Sequence, residues 1–110
     1  MLHTVTTERR QHKRYLVRGK AVIRTAAGSL SGELVDVGAG GLLLLTRAPV
    51  CIGQLLETRF TIEGYPVEFK VTGRVARTEP NVVGIAFAET PPDLEEALLW
   101  LEADFLAALL

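Results

Sequence analysis

A single cysteine, Cys51, stands in 110 residues, so an internal disulfide is excluded and nothing calls for an oxidising compartment. With one cysteine and two histidines, His3 and His12, a self-contained Cys/His zinc site is excluded as well. Four phenylalanines, two tyrosines and one tryptophan are too few for an interleaved platform on which nucleic-acid bases stack. Long apolar runs are missing. Runs such as Gly41 to Leu45 and Phe105 to Leu110 are far short of the roughly 20 residues that span a bilayer. Met1 to Arg10 has no apolar core of a secretory leader. A net charge of −1 gives no polycation to coat nucleic acid. What is present is 48% apolar and 23% charged, which supports one modest core in one domain and argues against disorder. The expectation is a small soluble domain of the cytoplasm.

Charge placement says more than the total. Between Met1 and Arg24 the bases are Arg9, Arg10, Lys13, Arg14, Arg18, Lys20 and Arg24, against Glu8 alone. From Glu89 onward six acids, Glu89, Asp93, Glu95, Glu96, Glu102 and Asp104, meet no base. Two readings fit: an anionic partner near the N-terminus with a separately solvated acidic face, or a merely floppy basic tail.

From Lys20 to Phe87 the pattern is that of strands. Ala21 and Ile23 alternate with polar neighbours before a turn at Ala27-Gly28, and Glu33 to Val37 forms a second strand ended by Gly38, Gly40 and Gly41. Leu42 to Thr46 and Leu55 to Ile62 follow, then a Glu63-Gly64 turn and the long run Tyr65 to Arg77. Val67, Phe69, Val71, Gly73 and Val75 there alternate with Glu68, Lys70, Thr72, Arg74 and Ala76, the period of a half-buried antiparallel strand. Pro80-Asn81 turns into Val82 to Phe87. Six short strands without a helical interruption predict a small antiparallel barrel.

The last segment changes period. Thr90-Pro91-Pro92-Asp93 has a hydroxyl for the N-cap, prolines where a missing N–H is harmless, and an acid in the first turn. Leu94, Leu98, Leu101, Phe105 and Leu109 then make one helical stripe to lay on the barrel. Leu99, Trp100, Leu106 and Leu110 exceed what one barrel face absorbs, which leaves a homodimer through this helix, a larger-than-usual barrel contact or a trimmed longer helix as the readings. The expected organisation is a flexible basic arm over 1–14, a barrel over 15–89 and a helix over 90–110.

Two short patterns carry chemistry. Arg10 and Arg14, four apart ahead of the first strand, offer planar forks that match phosphate oxygens and the guanine edge. Asp36-Val37-Gly38-Ala39-Gly40-Gly41 sits between two strands. A carboxylate there accepts the paired N1–H and N2–H₂ donors of guanine, and the glycines either admit a ligand to the backbone or supply positive φ for a turn. Leu42 to Leu45 follow in strand context, so this is no dinucleotide fingerprint. A third segment, Gly73 to Arg77 with Val83 to Phe87, reads as packed hairpin.

In this order and on this all-β pattern, the chain resembles the PilZ domain family from about Glu8 to the C-terminal helix. Arg10 and Arg14 match the family's RxxxR, while Asp36 and Gly41 match the first and last positions of its D/N-x-S-x-x-G. The resemblance implies a mainly β fold, a six-stranded antiparallel split barrel with a C-terminal helix and a flexible N-terminal arm. It also implies binding of cyclic di-GMP, a bacterial second messenger. Arg10 and Arg14 would contact guanine edges and phosphates, and Asp36 would read a guanine's donor face. Arg9 holds a position linked to ligand stoichiometry, where a basic residue leans towards two stacked molecules. Gly38 stands where the family has serine. A hydrogen bond to a charged group is worth about 1.5–3 kcal/mol, or roughly ten- to a hundredfold, so the resemblance implies weaker binding, partly recovered by the Gly38 N–H. The expected ligand residues are Arg9, Arg10, Arg14, Asp36, Gly38 and Gly41.

No catalytic constellation stands out. Both histidines lie in the arm without rigid support, and Cys51 reads as a buried structural thiol beside a turn. The expected protein is therefore no enzyme and needs no cofactor. It is a receptor whose arm, mobile without ligand, folds over the barrel near Asp36 and alters a surface read by a protein effector. An adaptor that has lost nucleotide binding, and a small nucleic-acid-binding barrel tethered by the arm, are the competing expectations.

Overall fold

The computed structural model describes residues 3–4 and 13–109, so Arg9, Arg10, Leu110 and the mobility expected upstream of Lys13 lie outside the described residues. Eight strands precede one helix: β1 (His3–Thr4), β2 (Arg14–Leu16), β3 (Lys20–Thr25), β4 (Gly28–Gly38), β5 (Gly41–Leu45), β6 (Leu55–Ile62), β7 (Tyr65–Glu79), β8 (Val82–Phe87) and α1 (Pro92–Ala108). Strands β3 to β8 close a six-stranded antiparallel barrel in the order β4-β3-β6-β7-β8-β5, with β5 returning to β4. The long β4 explains the remaining two. Its first half, Gly28 to Glu33, pairs with β3, and Asp36 to Gly38 pair with β2, which carries β1 on its outer side.

Period-two patterning fills the barrel. Phe60 and Phe69 are cross-strand partners on β6 and β7, fully buried with ring centroids 5.2 Å apart. Ile23, Val37, Leu42, Leu44, Leu56, Val75 and Val83 complete the interior. Helix α1 buries Leu94, Ala97 and Leu101, and Trp100 packs on Tyr65 at 5.2 Å.

Several expectations need correction. The arm boundary moves, because Arg14 is a strand residue whose partner is Gly38. The second strand starts at Gly28 instead of Glu33. A hairpin at Ala26-Ala27, held by the Thr25 hydroxyl between the Ala27 N–H and the Gly28 carbonyl, starts pairing before any apolar alternation begins. The helix starts at Pro92 with Pro91 at its N-cap, since the Thr90 hydroxyl instead donates to the Ala39 carbonyl. Cys51 is exposed, carried on a turn closed by Gln54 N–H to the Cys51 carbonyl. Leu109, the last residue of the expected stripe, is exposed, as are Leu99 and Leu106, while Trp100 is 38% accessible.

Candidate functional site

Asp36 owes its direction to a β-bulge. Leu34 pairs with Leu44 and Asp36 with Leu43, so Val35 has no counterpart on β5. One extra residue inverts the alternation. Leu34 points into the core, and Asp36, which an unbroken period would also send inward, points outward.

Strand β2 brings Arg14 to it. Its Nε donates to Asp36 Oδ1 at 2.8 Å and its Nη2 donates to the same oxygen, with the side chains 20% and 13% exposed. The two residues expected to face a ligand separately are thus paired with each other. Gly38 and Gly41 make that arrangement possible, though not through turn geometry. The positive-φ glycines among the described residues are Gly28, Gly53 and Gly64. A Cβ on Gly38 would stand 2.4 Å from the Lys13 carbonyl oxygen, and one on Gly41 2.2 Å from the Ile85 carbonyl oxygen. Glycine at 38 therefore has a local cause: the backbone of Lys13 lies where a serine Cβ would be.

This strand and the residue before it are tied to the helix. Lys13 Nζ donates to Glu102 Oε1 at 2.8 Å, and the buried Tyr15 hydroxyl donates to Oε2. Burial, then the hydrogen bond and charge of Glu102, raise the Tyr15 pKa well beyond the ordinary tyrosine range. The sign follows. As pH rises past about 10, the unfolded chain loses this proton before the folded one, so stability declines through the alkaline range. Tyr15→Phe should flatten that decline in urea midpoints measured from about pH 8 to 11. Identical slopes in both proteins would mean that the Tyr15 hydroxyl does not cause the decline.

Arg14 and Asp36 line an outer-face cleft of about 200 Å³ with Gly41, Leu43, Arg77 and Ala86. That is below the roughly 300–1,000 Å³ that encloses a drug-sized ligand, so the cleft is an open shelf and not an enclosing pocket. Arg77 was not expected there, since its segment reads as packed hairpin. The signal was available: strict alternation from Val67 to Val75 would place Arg77 inside the barrel, which a guanidinium does not tolerate. A larger hollow of about 820 Å³ lies elsewhere, lined by Lys20, Val22, Glu33, Leu45 and Arg47 among others, and neither Arg14 nor Asp36 borders it. Among the described residues, no group of three or more His, Cys, Asp or Glu could hold a metal, and no helix is long and apolar enough to cross a membrane.

Comparison with known proteins is consistent with this geometry. The PilZ domain model matches residues 8–103, while no curated protein matches the sequence. The Bacillus subtilis inhibitor of motility, MotI, superposes with a TM-score of 0.72 at 15% identity, over 91% of this chain and 53% of that one. This chain thus spans about half of MotI's length. The PilZ domain of YcgR from Escherichia coli, solved with cyclic di-GMP, gives 0.69 at 16% identity, covering 88% of this chain and 94% of that domain. An uncharacterized Legionella protein gives 0.51 at 14%, over 86% and 95%. Identities this low make the structural likeness one of fold.

Proposed function

The chain belongs to the PilZ domain family, a cyclic di-GMP receptor family of binding and adaptor proteins, not enzymes, and from that membership we propose that it binds cyclic di-GMP and signals by contact with a protein effector. The observation that carries the reading is the Arg14–Asp36 pair on the rim of the outer cleft. Guanidinium and carboxylate are complementary to the two faces a guanine nucleotide offers, its acceptors and phosphates on one side and its N1–H and N2–H₂ donors on the other.

The proposed sequence of events begins with ligand drawing Arg14 partly away from Asp36. Arg9 and Arg10 then close over the ligand from the N-terminal side, neutralising its phosphates. Because Lys13 and Tyr15 hold Glu102 of α1, movement of β2 would reach the helix, whose Leu99 and Leu106 are open to a partner. Ordering the arm has an entropic cost, offset by charge-assisted hydrogen bonds.

One observation favours a contact-only adaptor: without ligand, Arg14 is already satisfied by Asp36, and position 38 lacks the family's hydroxyl. A titration separates the readings. Calorimetry with cyclic di-GMP should give saturable binding that an excess of single-stranded polynucleotide does not displace, and amides from Thr6 to Tyr15 should gain hydrogen-exchange protection when ligand is added. Absence of heat at millimolar ligand would leave the adaptor reading in place; displacement by polynucleotide with a steep salt dependence would point to the nucleic-acid barrel.

A further inference from the structure

Two β-bulges, not one, face the cleft. On β7, Val75 pairs with Ile85 of β8 and Arg77 with Gly84, so Ala76 is the extra residue. This inverts the alternation just as Val35 does on β4. Without it Arg77 would point among Val71, Val75 and Ile85; with it the guanidinium stands on the outer face. Bulges of this kind re-aim side chains next to functional sites.

The registers place both re-aimed residues on one line across the sheet. Arg77 is opposite Gly84, Gly84 opposite Leu43, and Leu43 opposite Asp36. Three strand spacings of 4.7–4.9 Å separate the Arg77 and Asp36 backbones by roughly 14 Å. Between them Gly84 brings no side chain and Leu43 forms the floor: a Cβ on Gly84 would meet Arg77 Cβ at 3.2 Å and Leu43 Cδ1 at 3.7 Å. The result is a trough with Arg14 and Asp36 on one wall and Arg77 on the other. Arg77 is not idle in the unliganded chain. Its Nη2 and Nε donate to Glu79 Oε2 at 2.6 and 3.0 Å, with side chains 53% and 50% exposed, an arrangement that contributes little to stability in water.

We propose that Arg77 is a ligand-contacting residue of this site, which takes the ring phosphate of the cyclic dinucleotide farther from Arg14, and that Glu79 competes with that phosphate for the same guanidinium. The inference rests on the cyclic di-GMP reading above. Its chemistry is an exchange of one carboxylate acceptor for a phosphate oxygen. Binding is therefore weakened by the charge on Glu79 and strengthened by its removal.

The test is calorimetric titration with cyclic di-GMP, at one fixed salt concentration, of wild type, Arg77→Ala, Glu79→Gln, the double variant and Arg14→Ala. Loss of a charge-assisted bond to phosphate predicts about tenfold weaker binding for Arg77→Ala, with a melting temperature close to wild type because the pair is exposed. Glu79→Gln should bind about two- to threefold more tightly, and that gain should vanish in the double variant. No structural role for Arg77 produces this pattern of opposite signs. If Arg77→Ala binds as wild type does while Arg14→Ala binds far more weakly, the far wall is no part of the site and the proposal is overturned with the receptor reading intact. If wild type itself takes up no ligand, both fall together.

Discussion

Gly41→Ala is expected to destabilise the fold by about 3 kcal/mol, at the upper end of what an overpacked site loses, and to lower the melting temperature by roughly 15 °C. The family motif makes Gly41 a ligand position, yet the backbone gives it an earlier duty. Its added Cβ would stand 2.2 Å from the Ile85 carbonyl oxygen, 3.2 Å from the Ile85 carbonyl carbon and 3.3 Å from Ala86 Cα. All three are main-chain atoms of β8, so no side chain can swing aside. Gly41 also pairs with Ala86 on one side and with Gly38 on the other, at the seam where β5 joins β4 to β8. Spreading the strands there opens the ring. Gly38→Ser should behave differently, because the obstructing carbonyl is that of Lys13, just ahead of the short β2 strand and outside the ring. Serine at 38 would unseat β2 and release Arg14 while leaving the barrel closed. Thermal unfolding of the two variants tests the distinction. A Gly41→Ala protein that melts with wild type but loses ligand would return Gly41 to a purely ligand-facing role.

How much of this could be read from the sequence depended on the range of the determining interaction. Strict alternation from Val67 to Val75 and the change of period at Leu94 reflect local burial, and both reappear as strand β7 and helix α1. The barrel of six strands followed from turn residues a few positions apart. The bulges escaped because a bulge is a mismatch between two strands. Val35 is superfluous only relative to Leu43 and Leu44, and Ala76 only relative to Gly84 and Ile85. For the same reason Arg14 and Asp36 could be named as a pair of ligand residues but not as partners of each other. Residue types show what each side chain recognises, whereas only the β2–β4 register brings Arg14 beside Asp36. The Tyr15–Glu102 bond, spanning 87 residues of sequence, has no local signature at all. Cys51 was assigned to the interior by the general habit of free thiols, and the turn that exposes it depends on the Gln54 carboxamide accepting from the Cys51 N–H.

The Arg14–Asp36 pairing also sets an order among binding defects. Arg14→Ala should weaken cyclic di-GMP binding by about a hundredfold, close to 2.7 kcal/mol, through two effects. It deletes a bidentate donor, worth about 1.5–3 kcal/mol when the acceptor is charged. It also leaves the Asp36 carboxylate, 13% exposed, without its partner on a surface that must receive a dianion. Asp36→Ala should lose only about tenfold. It removes the acceptor for guanine's donors, but it frees Arg14 and deletes the negative charge. The double variant then becomes the decisive measurement. If the carboxylate harms binding once Arg14 is gone, Arg14→Ala/Asp36→Ala should bind more tightly than Arg14→Ala alone, because residues in direct contact combine non-additively. Calorimetric titrations at one ionic strength provide the comparison. Equal losses in the two single variants, summing in the double, would mean that Asp36 meets the ligand independently of Arg14. In that case the pair would be a resting contact with no part in recognition.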